Sequence, residues 1–189
     1  MSESIAWRER QALVTLFAQL GPDQPTLCEG WKTADLAAHL VIREHRPDAA
    51  VGILFAPLAN WNNRTIAKLA PRFARNIALL KRGAPIWSPI RWFDAQANTL
   101  EMLIHHEDVR RGQPSWEPRD LAAIDAQLWS MVKRASAFSQ RKSGKPFILA
   151  TPDGRIIPSA GGTTVVGEPM ELLLHVMGRT GVAQVRIEN

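Results

Sequence analysis

From Ile5 to Gln140 the chain returns apolar side chains at three- and four-residue spacing, and past Ser143 that rhythm stops. A helix with one apolar stripe must bury it against another element, so a run of such segments restricts the first part of the chain to a helical bundle. Ile5–Leu20 sets Ala6, Leu13, Leu16, Phe17 and Leu20 on one side and closes at Gly21. A second helix is predicted from Thr33, as N-cap, with Asp35 in its first turn. It runs through Leu36, Leu40 and Val41 to Arg46, where Pro47 ends it. A third helical region covers Arg64–Lys81, bent at Pro71 and closed by Gly83. A fourth covers Phe93–Arg110, ahead of Gly112 and Pro114, and a fifth covers Leu121–Gln140 after Pro118.

The remainder reads differently. Phe147–Ala150 and Arg155–Pro158 are short strand candidates joined at Pro152-Asp153-Gly154, a hairpin-type turn. Thr163–Val166 is β-branched, Met170–Met177 is an amphipathic helix ending at Gly178, and Val182–Ile187 alternates like a strand. The expected architecture is mainly α: a helical bundle over residues 1–143, then a small α/β tail over 144–189.

Composition removes several classes of function. With 46% hydrophobic and 22% charged residues in 189, the chain is globular rather than disordered. Cys28 is the only cysteine, which excludes a disulfide framework and a cysteine-rich zinc fold. In its Trp-Gly loop it reads as a small buried filler. Val51–Leu58 and Met170–Met177 are too short to span a bilayer, and the first ten residues lack a signal-peptide pattern. A cytoplasmic protein with no membrane partner is expected. The net charge is +5, and Arg64, Lys68, Arg72, Arg75, Lys81 and Arg82 recur at helical spacing. No helix-turn-helix or RNA-binding motif accompanies them, so they read as a solvated face and no nucleic-acid partner is expected.

The candidate chemistry sits on two helices. Leu36, His39, Leu40 and Arg43 share one face of the second helix, so His39 points with the apolar side chains. A core histidine bonded to a backbone carbonyl is the competing reading. On the fourth helix Asp94, Asn98, Glu101, His105 and Asp108 fall along one stripe. Glu and His one turn apart can ligate one cation; the alternative is an exposed polar face. The same spacing recurs at Glu171–His175, read as innocent and half exposed at the edge of the tail. His39, Glu101 and His105 would supply two imidazoles and a carboxylate, the donor set of a catalytic zinc with an open position. A thiol bound there would ionise at neutral pH. Asp94, Asn98 and Asp108 are candidates to orient the imidazoles. Trp31 reads as core, and His45 and His106 as weaker ligands.

Leu27–Leu40 with Arg43-Glu44 and Arg46-Pro47-Asp48, the segment Glu101–Arg111, and the tail segment Gly167–Leu174 with Gly178-Arg179 resemble the mycothiol-dependent maleylpyruvate isomerases and their actinobacterial metal-binding relatives in the DinB-like superfamily. The resemblance implies a DinB-like four-helix bundle holding a divalent metal, usually zinc, on His39, Glu101 and His105. It implies a low-molecular-weight thiol, mycothiol, as co-substrate. It places Arg179 near the active site, where it could hold a substrate carboxylate bidentately. Arg43, facing the same way as His39, is a second candidate anchor. The tail of about 45 residues is shorter than the isomerase's, and fold and metal site carry over better than reaction does.

The leading reading is therefore a metal-dependent isomerase or S-transferase acting on a small electrophilic, anionic substrate, as a monomer or homodimer. The alternative is a non-catalytic metal- or ligand-binding module.

Overall fold

The computed structural model describes residues 4–46, 59–88, 91 and 95–188. The apolar run at 51–58, the loop Pro47-Asp48, Phe93 and Asp94 lie outside them. The chain is mainly helical with a small four-stranded sheet near its C-terminus. It divides into two compact units, Met1–Trp116 and Glu117–Asn189.

In the first unit, α1 spans Ile5–Leu20, α2 Thr33–His45, α3 Ala59–Leu69, α4 Phe73–Arg82 and α5 Ala95–Arg110. Ser4 caps α1, its hydroxyl accepting the Trp7 N–H at 3.2 Å. The region expected to bend at Pro71 does so through a 3₁₀ turn, Ala70–Arg72, between α3 and α4. Gly83 closes α4 at φ 78°, a left-handed value that favours glycine. Leu13 and Phe17 of α1, Leu36 and Leu40 of α2, Leu80 of α4, and Met102 and Val109 of α5 form one core. Each such side chain, fully buried, contributes roughly 1.5–3 kcal/mol.

The start of α2 differs from expectation. Lys32, not Thr33, occupies the cap, and the Asp35 carboxylate accepts the Lys32 N–H at 3.0 Å. The Thr33 hydroxyl is spent elsewhere: it is buried and donates to the Gly21 carbonyl at 2.6 Å, tying the end of α1 to the start of α2.

In the second unit, a 3₁₀ turn at Ala122–Ile124 leads into α6, Asp125–Ser143. Then come β1 Phe147–Ala150, β2 Ile156–Ile157, β3 Thr163–Val166, α7 Pro169–Val176 and β4 Arg186–Glu188. The sequence drew its boundary after this long helix; contacts group the helix with the sheet, because α6 packs on α7. The strand order is β2-β1-β3-β4, with β1 and β3 parallel and both outer pairs antiparallel. Leu149 and Val165 pair in register and turn inward toward the unit's core. Gly162, at φ 99°, is required at the crossing: a Cβ there would lie 2.1 Å from the Pro146 carbonyl oxygen.

The last strand is shorter than Val182–Ile187. The Val182 and Ala183 amides bond to the Arg179 carbonyl, and the Gln184 amide donates to Glu171 Oε2 at 2.8 Å. Those amides are unavailable to a ladder, so pairing begins only at Arg186. Glu171 is therefore buried at 6% exposure and anchors a turn, rather than lying half exposed. Among the described residues, no helix is long and apolar enough to cross a membrane.

Candidate metal centre

His39 is carried by the buried face of α2, between Leu36 and Leu40, which are both fully buried. Arg43 follows one turn later on that face. Glu101 and His105, one turn apart on α5, face them. The Glu101 Oε1 lies 3.4 Å from His39 Nε2 and 3.2 Å from His105 Nε2. One donor atom from each of the three residues falls within 4.8 Å of the others. The two imidazole rings meet edge-on, 5.3 Å between centroids at 74°.

Those separations fit a cation. Ligand distances of about 2.0–2.2 Å around a tetrahedral zinc put neighbouring donors about 3.3 Å apart. The hydrogen bonding of His105 makes the same demand. Its Nδ1 lies 2.9 Å from Asp108 Oδ2, a fully buried carboxylate. With Nδ1–H donating to Asp108, the Nε2 lone pair points at the Glu101 carboxylate. Either a proton or a metal ion must stand between them. In the metal-free chain the proton does so. Burial pushes the His105 pKa down, but hydrogen bonds to Asp108, Cys28 and Glu101 override it and hold it well above the usual value. Burial likewise pushes Glu101 up, and hydrogen bonds from His105 and His39 win, holding its carboxyl well below the usual range. His39 shifts the other way: burial, reinforced by the charge of His105, outweighs the hydrogen bond to Glu101 and lowers it, so it is neutral at pH 7, the form in which an imidazole ligates a metal. Its Nδ1 is buried with no hydrogen-bond partner among the described residues.

Of the residues singled out in the sequence, the structure gathers His39, Glu101, His105, Asn98, Asp108 and Arg43. Arg43 Nε is 3.6 Å from Glu101 Oε1, and its Nη1 donates to Asn98 Oδ1 at 2.9 Å. Asn98 thus holds Arg43 rather than an imidazole. Trp31 is partly buried against the core, and its ring sits 5.1 Å from that of His39. Arg179 belongs to the second unit, where its Nη1 donates to the Met177 carbonyl at 2.7 Å. His106 is engaged by Glu9 at 2.7 Å, and His45, next to Glu44 in sequence, has its pKa lowered by burial. The six basic residues of the α3–α4 stripe are exposed.

Cys28 was missed. It packs partly buried against the core, as a filler does, but its thiol also donates to Asp108 Oδ2 at 3.3 Å and lies 3.9 Å from His105 Nδ1. Helical spacing cannot reveal a contact between a loop and a residue 80 positions away. The one available signal was Gly112, just past α5, where a Cβ would strike Pro25 O at 2.7 Å and Thr26 Cα at 2.8 Å. That glycine lets the Cys28 loop close on α5.

The chain shares a fold with one isomerase. It matches the crystal structure titled the mycothiol-dependent maleylpyruvate isomerase, with a TM-score of 0.59 and 15% identity, over 97% of this chain and 90% of that one. At that identity the likeness speaks for the fold alone. No protein-family model matches the chain, and no curated protein matches it by sequence.

Proposed function

We propose that this chain is a divalent-metal-dependent enzyme that uses a low-molecular-weight thiol, of the mycothiol kind, to isomerise a small electrophilic substrate or to transfer sulfur to it. The helical unit is read as a DinB-like bundle, with His39, Glu101 and His105 as the metal ligands. The observation that carries the reading is the convergence of two imidazole nitrogens on one carboxylate oxygen, at 3.4 and 3.2 Å, with all three donors within 4.8 Å of one another. The name of the isomerase that shares the fold supports the thiol.

Zinc bound there would supply Lewis acidity and lower the pKa of a coordinated thiol. The protein's part is orientation and charge. Asp108 fixes the His105 tautomer so that Nε2 faces the ion. Glu101 is 27% exposed, which leaves the cluster open on one side. Arg43 stands at that carboxylate and can hold an anionic substrate, and Arg179 is proposed as a second anchor. A thiolate adding to an electrophilic double bond allows rotation about the resulting single bond. Elimination then returns the thiolate and the isomerised product.

Elemental analysis of the wild type beside His39→Ala and Glu101→Gln tests the centre. Near-stoichiometric zinc, lost in both variants, is expected. The metal-loaded protein should then turn over maleylpyruvate, or another activated alkene acid, only when mycothiol is added. A wild type that takes up no divalent ion ends the reading of the site, and a loaded protein without thiol-dependent turnover ends the reading of the reaction.

A further inference from the structure

Cys28, Asp108 and the second ring nitrogen of His105 form a donor set whose atoms are not ligands in the proposed centre. Cys28 Sγ is 3.3 Å from Asp108 Oδ2 and 3.9 Å from His105 Nδ1, and Nδ1 and Oδ2 are 2.9 Å apart. The set is built from both sides. The Leu27 amide donates to the Asp108 carbonyl at 3.0 Å, the Cys28 amide donates to the Thr26 hydroxyl at 3.2 Å, and Gly112 admits the loop. A tetrahedral zinc with a sulfur at about 2.3 Å and nitrogen or oxygen near 2.0–2.2 Å would set sulfur about 3.5 Å from the other donors. Thiolate, imidazole and carboxylate together select a thiophilic ion more strongly than two imidazoles and a carboxylate do.

We infer that Cys28, Asp108 and His105 Nδ1 form an alternative position for a thiophilic divalent cation, exclusive with the His39–Glu101 position because one imidazole serves both. The tautomer of His105 decides between them. With Nδ1–H bonded to Asp108, Nε2 is free for the first position. With the proton on Nε2, that nitrogen donates to Glu101 Oε1 at 3.2 Å, and Nδ1 is free for the second. Filling the second position releases the Cys28 thiol proton to solvent, and no electron is transferred. The inference shares His105 with the proposed function but does not require that reading.

Titration of the metal-free full chain with Cd²⁺, followed by thiolate-to-cadmium absorption in the ultraviolet, tests it. Cys28 is the only cysteine, so any such band reports this position. The band is expected to saturate at one Cd²⁺ per chain in the wild type, to persist in Glu101→Gln, and to vanish in Cys28→Ser. At Cd²⁺ ten times its Kd, alkylation of Cys28 by iodoacetamide should slow about tenfold in the wild type, a readout that needs no variant to fold. No band together with unchanged alkylation overturns the site. Two ions bound at once overturn its exclusivity. Zinc content in Cys28→Ser, with and without Glu101→Gln, reports the first position separately because the second is removed, so failure of one reading is distinguishable from failure of the other.

Discussion

His105 is the residue on which the site turns, because both of its nitrogens are committed. Replacing Asp108 by Asn leaves the volume and removes the charge that fixes Nδ1–H. Metal affinity should fall about 10–100-fold, measured by competition with a chromophoric chelator. Its protonation sets a second expectation. The folded pKa of His105 is raised, so its proton stabilises the metal-free fold fully below the unfolded value near 6.5 and ever less as pH rises through the folded value. A ligating imidazole must shed that proton. Metal affinity should therefore climb with pH until the folded pKa is passed and then flatten. Calorimetry in two buffers of different ionisation enthalpy should show one proton released per ion at pH 7. At this scale much was legible. Helical spacing placed His39 and Arg43 on one face and Asn98, Glu101, His105 and Asp108 on another, and the structure turns those faces together. The polar contacts of Cys28 were illegible, since its partners lie 77 and 80 residues further along the chain.

At the scale of elements, helices were read more fully than connections. Apolar periodicity and the glycines at 21 and 83 marked helix ends that the structure keeps within a few residues. The pairing of strands was not readable. A β-branched run at 163–166 says strand, but its parallel match to β1 depends on a crossing that only Gly162 permits. The loop before α2 depends in the same way on Gly112. A methyl group there would sit 2.7 Å from the Pro25 carbonyl and 3.0 Å from the Asp108 carbonyl, and both are backbone atoms that cannot swing aside. Gly112→Ala should destabilise the fold by about 1–3 kcal/mol in urea unfolding. It should also raise the alkylation rate of Cys28, because the loop that buries the thiol is pushed off α5. A loss of stability with unchanged alkylation would place the strain elsewhere.

Across the molecule, charge is buried in the first unit as well as fat. The Arg10 guanidinium, 8% exposed, makes a bidentate pair with the Glu44 carboxylate, 0% exposed, and joins α1 to α2 behind the candidate centre. Removing one partner strands the other. Glu44→Gln should cost about 3–5 kcal/mol, and replacing both by apolar residues of similar volume should recover most of it. A metal ion at the proposed centre acts in the opposite direction. At 100 times its Kd it adds about 2.7 kcal/mol to whatever unfolds with the site. All three proposed ligands lie within Met1–Trp116, while the sheet lies within Glu117–Asn189. If each unit opens on its own, zinc should slow amide hydrogen exchange in α1, α2 and α5 and leave β1, β3 and α7 unchanged. Equal slowing in the sheet would mean that the units open as one cooperative body, and the stabilisation from a few donors on two helices would then reach the whole chain.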